Sequence, residues 1–223
     1  MTYSFHFGDI WAAREQLLWG ALLTLELSAG SMVLSLLIAV FGALAHTGGP
    51  AWLRWLVAAY VEVVRNTPFL VQVFVIYFGL PAVGIRLDSV VCALIAMVLN
   101  GSAYTIEIVR AGIESVSHGQ TEAARALGLH RLQAFRLVVL PQALRAVLPP
   151  LGSQFILLML SSSIVSVISA EELTAAAQDI QSRTFRSFEA YIVATGIYFC
   201  LSVLFSGVLA TVERAAFARP ATR

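Results

Sequence analysis

Several uncharged polar residues interrupt long apolar stretches of this sequence, and their side chains are the first candidates for chemistry. They are Gln72, Asn100, Ser102, Tyr104, Ser161, Ser162 and Ser163. Because amide and hydroxyl groups both donate and accept hydrogen bonds, such a group could hold the ammonium or carboxylate of a small zwitterionic ligand. For each residue singly, the alternative is a hydrogen bond between two membrane helices, which contributes around 0.6 kcal/mol on average.

Ionisable residues in apolar stretches form a second group, because a charge at the bilayer centre costs roughly 2.5–3.5 kcal/mol. Glu26 is the most isolated of them. We expect it to be either a gate or pathway group, or a carboxyl that is protonated or paired with another helix. Glu62 and Arg65 are three residues apart, as are Glu107 and Arg110, so each pair can form an ion pair on one helix face.

The sequence lacks the motifs of an enzyme or a cofactor-binding protein. It contains no glycine-rich P-loop of the kind that holds nucleotide phosphates. Cys92 and Cys200 lie in separate apolar runs without metal-ligand spacing. The net charge of +1 does not suggest a nucleic-acid partner. We therefore predict no catalytic residue, no metal, no cofactor and no nucleic-acid partner.

The overall composition is typical of a membrane protein. Of the 223 residues, 59% are hydrophobic and 12% are charged, and the mean hydropathy is +0.83. A soluble domain usually has about 25% charged residues. The first 16 residues contain Asp9, Arg14 and Glu15 but no basic n-region followed by an apolar core, so we expect no secretory signal peptide and a retained first helix.

Five segments are long and apolar enough to cross about 30 Å of hydrocarbon as helices, which takes about 20 residues each. They are Leu17–Ala45, Leu53–Leu80, Val90–Ile108, Leu151–Ile168 and Tyr191–Val212. Pro149 and Pro150 suit the first turn of the fourth segment. The predicted fold is therefore an all-α integral membrane protein, with five transmembrane helices forming a single domain over residues 1–223.

The arginines are distributed unequally between the two sets of loops, and the sequence has no lysine. One set, with its helix ends, carries Arg54, Arg65, Arg110, Arg125, Arg131, Arg136, Arg145, Arg214, Arg219 and Arg223. The other carries Arg14, Arg86, Arg183 and Arg186. Basic residues concentrate on the cytoplasmic side, which predicts an external N-terminus, a cytoplasmic C-terminus and a cytoplasmic loop over residues 111–149.

This loop has the pattern of two short helices rather than of a linker. Ser117 followed by Gln120 fits a capping box at the start of the first helix, and Gly128 suits its end. We expect Ala123, Ala124 and Leu127 to share one side of it. The second helix, near His130–Leu140, would place Leu132, Phe135 and Val139 on one stripe before Pro141 breaks it. These residues alone leave two roles open: docking of a partner protein, or packing beneath the membrane bundle.

An ordered series of motifs adds a resemblance to this pattern. The series consists of Tyr60-Val61-Glu62, Arg65-Asn66-Thr67-Pro68 with Gln72, Arg110-Ala111-Gly112-Ile113, Glu122-Ala123-Ala124 with Gly128, Leu140-Pro141-Gln142-Ala143, and Leu148-Pro149-Pro150. In this order and spacing they resemble the polar amino acid permease family of ABC importers, of the histidine/glutamine/arginine type. The Glu-Ala-Ala stretch is similar to the EAA loop of that family.

The resemblance implies a function and a set of partners. The chain would be a type I importer permease in a bacterial inner membrane, moving polar amino acids inward, and it would not itself be an enzyme. Glu122, Ala123, Ala124 and Gly128 would form the coupling helix that docks on an ATPase. The partners would be a second permease subunit, identical or homologous, two cytoplasmic ATP-binding subunits and an external substrate-binding protein. Gln72, Asn100, Tyr104, Ser161, Ser162 and Ser163 become candidates for the translocation pathway.

The sequence departs from the family at one place that bears on substrate. Leu160 and Ser161 stand where the family usually has a lysine and an acidic residue or asparagine, which would fit a heterodimer whose other permease carries the binding groups. Two other functions remain as alternatives. One is a secondary transporter of small polar solutes driven by an ion gradient, although five helices do not divide into inverted repeats. The other is a membrane anchor without transport, which would leave the buried polar residues unexplained.

Overall fold

The computed structural model describes residues 3–217, and the ordered elements within that range are all helical. Arg219 and Arg223, counted above for orientation, lie outside the described residues. The helices are α1 (Gly8–Ala12), α2 (Arg14–Gly48), α3 (Ala51–Arg65), α4 (Phe69–Ala82), α5 (Ser89–Glu114), α6 (His118–Ala126), α7 (Arg131–Ala134), α8 (Leu140–Ser161), α9 (Leu173–Thr184) and α10 (Ser187–Phe217). A π-helical turn, Phe135–Val139, precedes α8, and a 3-10 segment, Ser162–Ile168, follows it.

The bundle is built on α2 and α5, which run parallel. A Cβ placed on Gly30 would lie 3.4 Å from Leu94, and one on Gly42 would lie 2.7 Å from Ile106, so both contacts join residues 64 positions apart. Ser35 donates a hydrogen bond to the carbonyl of Val98 in the same interface. The absence of side chains at these glycines allows the two helix backbones to approach closely.

The second predicted span is not one helix. It breaks between Arg65 and Phe69, and α3 and α4 meet there at 107°. The prediction of a continuous helix over Leu53–Leu80 was therefore wrong. Pro68 begins α4 at its N-cap, and a residue preceding proline is disfavoured in the α conformation, so Thr67 cannot easily continue α3.

The fourth span also differs from the prediction, because the helix starts well before it. Residues Arg131–Ile168 form one apolar helical run, with the π turn placed before Pro141. Pro141 therefore lies in the first turn of α8, which begins at Leu140, instead of ending a helix there. Pro149 and Pro150 lie inside α8 rather than in the first turn of the span. A π turn tolerates an altered hydrogen-bond ladder, which is why a proline next to it does not terminate the run.

Four helices are long and apolar enough to cross a membrane, and the bent pair makes five. The five-span all-α prediction is thus confirmed with one broken span. On the side of the bundle opposite α6, α1 and α9 pack against the first halves of α2 and α10 around Leu17, Leu173 and Ile180. The Glu189 carboxylate, fully buried in α10, accepts hydrogen bonds from the Tyr3 hydroxyl at 2.5 Å and the His6 N–H at 3.0 Å.

Candidate functional site

The first candidate site is α6, which ends in a backbone motif that requires glycine. Gly128 has φ +84°, in the left-handed region that favours glycine. Its N–H donates to the carbonyl of Arg125, and the N–H of Leu129 donates to the carbonyl of Ala124 at 3.1 Å. These two bonds form a Schellman motif, so the predicted helix end at Gly128 is confirmed. Nothing lies within 4 Å of a Cβ built on Gly128, so conformation alone restricts this position.

The start and the faces of α6 differ from the prediction. Ser117 is the N-cap residue, but its side chain makes no capping hydrogen bond. Ala124 is buried, whereas Ala123 is exposed and Leu127 is 83% exposed, so these three residues do not share one side. Ala123 and Leu127 are four residues apart and therefore lie on the same helix face, whereas Ala124 points in another direction. The outward face therefore consists of Ala123 and Leu127, beside the exposed Glu122.

Exposed leucines continue beyond α6 into the π turn. Leu132 and Leu137 are exposed, whereas Val139 is buried and Phe135 is half-buried. The predicted stripe of Leu132, Phe135 and Val139 is thus wrong at Leu132. With Leu127, the two leucines make three large exposed apolar side chains within residues 127–137, and exposed apolar patches mark contact sites.

The second candidate site is the bend between α3 and α4, where Gln72 and Asn100 meet. The Gln72 amide nitrogen donates to the Val64 carbonyl at 2.8 Å and to the Thr67 hydroxyl at 2.9 Å. Its oxygen accepts a hydrogen bond from the Asn100 amide at 3.0 Å. Gln72 thus holds the bend closed and ties it to α5. Asn100 is the more available of the two, since only one of its amide hydrogens is used in this pair.

An ionic cluster lies one to three turns along α5 from Asn100. The Arg65 guanidinium sits over the Tyr104 ring, 5.5 Å from its centroid, and 3.8 Å from the Glu107 carboxylate. Arg110 binds Glu107 at 2.5 Å, which confirms the predicted pair. The predicted Glu62–Arg65 pair is wrong, because the Glu62 carboxylate accepts from the Asn66 amide, directly at the bend.

The three serines lie where α8 becomes 3-10 helix. Ser162 is fully buried and donates to the Met159 carbonyl, and Ser163 donates to the Leu160 carbonyl at 2.8 Å. Ser161 and Ser163 are half-buried. Among the described residues, no hydrogen bond joins the three serines to Gln72 or Asn100. The pathway candidates thus form two groups, one at the bend and one at this helix transition.

Glu26 is exposed on α2. The parallel packing of Gly30 beside Leu94 places Glu26 level with the first turn of α5. It therefore lies near the end of that helix rather than at mid-depth. A charge at such a position costs less than one at the bilayer centre.

A buried carboxyl that the sequence did not single out holds α9 in place. Glu172 is fully buried and caps α9 by accepting from the Ala175 N–H at 3.0 Å. It also accepts from the Tyr198 hydroxyl of α10 at 2.5 Å and lies 3.3 Å from the Thr24 hydroxyl of α2. Burial raises the pKa of this carboxyl, and the hydrogen bond from Tyr198 opposes the shift. The only sequence signal was a glutamate at a helix start, since its other partners are distant in sequence.

Comparisons with known proteins agree with this architecture. Residues 20–217 match the family described as the inner membrane component of binding-protein-dependent transport systems. The chain is 42% identical over 175 residues to a probable glutamine ABC transporter permease protein, GlnM, of Bacillus subtilis, covering 78% of this chain and 79% of that protein. It is 37% identical over 213 residues to the glutamine transport system permease protein GlnP of Escherichia coli, covering 94% and 97%.

The fold agrees with a solved structure as well. The crystal structure of an amino acid ABC transporter with histidines contains a chain that superposes with a TM-score of 0.89 at 38% identity, covering 96% of this chain and 100% of that one. Matches of this extent fix the architecture as that of an importer permease, which is a transport subunit and not an enzyme. The chain belongs to the family of multi-pass inner membrane components of binding-protein-dependent ABC transport systems.

Proposed function

We propose that this chain is the permease subunit through which an ABC importer moves polar amino acids into the cytoplasm. The substrate class is supported by relatives that are named for glutamine and by a structural neighbour that is an amino acid transporter. Family membership favours ATP-driven import over the ion-gradient-driven alternative. The family also implies an ATPase and a substrate-binding protein as partners. We propose the assembly of two permease subunits, identical or homologous, with two ATPases and one external binding protein.

In this proposal α6 is the coupling helix, and one observation carries it. The outward face of α6, with Glu122, Ala123 and Leu127, is exposed within the described part of the chain, while the Schellman motif at Gly128 fixes the end of the helix. A nine-residue helix is marginal in water, so a partner groove that receives this face would stabilise it. Movement of two ATPases would then be passed to α5 and α8, which flank the loop over residues 111–149.

The proposed orientation follows from the arginines and puts α6 in the cytoplasm and α9 outside. The described part of the chain keeps α6, the start of α3 and the end of α5 at one end of the bundle, and α9 at the other. Cysteine variants in a Cys200→Ser background, which retains the buried Cys92, test this. A membrane-impermeant maleimide should label Ser182→Cys in intact cells and Leu127→Cys only after lysis, and the reverse pattern would refute the orientation.

We propose that the pathway runs past the Gln72–Asn100 pair, with Tyr104, Ser161, Ser162 and Ser163 lining its two ends. The Asn100 amide uses one hydrogen on Gln72, and its second hydrogen has no acceptor among the described residues, so it can meet a carboxylate. Gln72 is engaged on both ends of its amide, so its role is to set the position of Asn100. Asn100→Ala should therefore lower the apparent affinity of uptake, and uptake with unchanged affinity would remove Asn100 from the pathway.

Two glycines provide a matched test of the coupling helix. Gly128 and Gly84 have φ of +84° and +87°, and a Cβ on either meets nothing within 4 Å. Valine at either position therefore carries the same local strain, roughly 1–2 kcal/mol or more. Gly128→Val should abolish co-purification of the ATPase and lower uptake by about tenfold or more, which corresponds to about 1.4 kcal/mol.

The control and a second variant make the test specific. Gly84→Val, at the opposite end of the bundle, should leave ATPase association intact. Glu122→Trp adds bulk to the outward face without strain at a left-handed residue and should also release the ATPase. Normal uptake and assembly in both Gly128→Val and Glu122→Trp would refute the assignment of α6.

A further inference from the structure

Helix α3 has three distinct faces, which no site described above explains. The face turned to the bundle packs on Ala39 of α2 and Ile106 of α5 and consists of Leu53, Val57, Tyr60, Val61 and Val64. A second, exposed face is apolar and consists of Trp52, Trp55, Leu56 and Val63. A third face, also exposed, consists of Arg54, Ala58, Glu62 and Arg65. At 100° per residue, these faces are about a third of a turn apart.

A three-sided division of this kind restricts how α3 can lie. One side meets protein, one carries charges that need water, and one carries large apolar groups that avoid it. The 107° angle to α4 turns α3 away from the direction in which α4 crosses the bundle. Helix α3 begins beside the end of α2 and reaches the middle of α5, where the Tyr60 hydroxyl donates to the Leu99 carbonyl, so it passes through the leaflet on the α6 side. The apolar face of α3 therefore meets the hydrocarbon of the leaflet on the α6 side.

The apolar face of α3 also forms one wall of a cleft. The cleft has a volume of about 860 Å³. Its α2 wall includes Ile38, Phe41 and Ala45, and its α3 wall includes Trp55, Leu56 and Val63. Its volume falls in the range of small-molecule sites, about 300–1,000 Å³. The charged-face residues Arg54, Glu62 and Arg65 do not line it, and its α3 wall is the exposed apolar face, so hydrocarbon rather than water has access to it.

We propose that the α2–α3 cleft is a lipid site, occupied by the acyl chain of a phospholipid from the leaflet on the α6 side. The occupant is hydrocarbon because the lining offers it no charged group or side-chain amide, and the hydroxyl of the lining residue Tyr60 is already bonded to the Leu99 carbonyl and the Ser102 hydroxyl. A bound chain fills the space between the two helices, and so supports α3 next to the bend that Gln72 holds. The site is independent of the coupling role of α6.

The test uses the complete transporter in vesicles of phosphatidylcholine that carries a photoactivatable diazirine in one acyl chain. After illumination, adducts are mapped by peptide mass spectrometry. The exposed face of α10 around Ile192 and Phe199 serves as the reference for ordinary lipid contact. Labelling of residues 38–45 and 55–63 should exceed that reference severalfold. Labelling no greater than at α10 would overturn the proposal.

Two neighbouring alanines supply the matched variants. Ala59 is half-buried and lines the cleft, whereas Ala58 is exposed on the charged face. Ala59→Leu should remove most of the excess labelling, and Ala58→Leu should leave it unchanged. Val63→Phe fills the same space and serves if Ala59→Leu fails to assemble. Equal labelling in filled and control variants contradicts a lipid in the cleft.

A second copy of the chain is the competing occupant. If a second copy filled the cleft, Val63→Cys in a Cys200→Ser background would cross-link through a short bifunctional maleimide to the same position of that copy. Cross-linked dimers in high yield would overturn the lipid assignment. Their absence, together with excess acyl labelling, would support it.

Discussion

Two short helices connect transmembrane spans at opposite ends of this molecule, and they are held in opposite ways. Helix α9 has four buried residues, Leu173, Ala176, Ala177 and Ile180, and is capped by the side chain of Glu172. Helix α6 has one buried residue, Ala124, and its N-cap serine makes no side-chain bond. The chain therefore packs α9 internally, whereas most side chains of α6 are exposed. A connecting helix with its apolar residues outward is more informative about partners than one that is fully packed.

The largest expected effect on this contrast comes from removing the buried carboxyl at α9. Glu172→Ala removes the acceptor of the Ala175 N–H and leaves the Tyr198 hydroxyl with the Thr174 hydroxyl as its remaining partner, and an unpaired buried group costs about 1–3 kcal/mol. Thermal unfolding of the purified transporter should show a stability loss of about 1–3 kcal/mol. The exposed neighbour Glu171→Ala is the control and should change little. Equal effects of the two variants would mean that α9 is not held by Glu172.

A smaller, pH-dependent effect follows from the raised pKa of Glu172. Its pKa is above the usual value near 4.5 because burial disfavours the charged form. A carboxyl whose pKa is higher in the folded than in the unfolded protein stabilises the folded state fully at pH values below its pKa in the unfolded protein. This contribution is lost as the pH rises through its pKa in the folded protein. Glu172→Gln cannot ionise, so the melting temperature of the variant should rise relative to the unmodified protein as pH increases from about 4.5. A difference independent of pH would show that the carboxyl does not titrate in the folded state.

The smallest expected effect is at the other helix. A serine N-cap usually contributes about 1 kcal/mol, but the Ser117 side chain makes no capping bond. Ser117→Ala should therefore alter the melting temperature by no more than a typical surface substitution, within about 0.5 kcal/mol. If Ser117→Ala instead lowered the stability by the full contribution of an N-cap, the Ser117 side chain would cap α6 in the assembled protein. The two helices would then differ less in how their first turns are held.

The sequence predicts the all-α membrane class, the five spans and the glycine end of α6, because each depends on local composition or on a backbone conformation that one residue type favours. The break in the second span is missed, since averaging hydropathy over Leu53–Leu80 conceals a 107° turn at three residues. The sequence does not predict that Pro149 and Pro150 lie inside α8. The rules for proline in helices place the pair in a first turn, and they do not anticipate a π turn upstream.

The candidate residues divide in the same way. The Glu107–Arg110 pair is local and was predicted. Gln72 and Asn100 were each predicted as pathway candidates, but the hydrogen bond between them was not predicted. The Glu172 cluster depends on Thr24 and Tyr198, which are 148 and 26 residues away. No periodicity connects positions so far apart, so only the packed bundle reveals them.

The central claim is that α6, and not α9, presents the surface that an ATPase completes. A photoreactive benzoylphenylalanine at Leu127 in the assembled transporter tests it directly, with the same group at the exposed Ser182 of α9 as the control. On illumination, position 127 should cross-link to the ATPase subunit, and position 182 should not. Cross-linking from position 182 to the ATPase, or its absence from position 127 in a transporter that still hydrolyses ATP and imports substrate, would contradict the account.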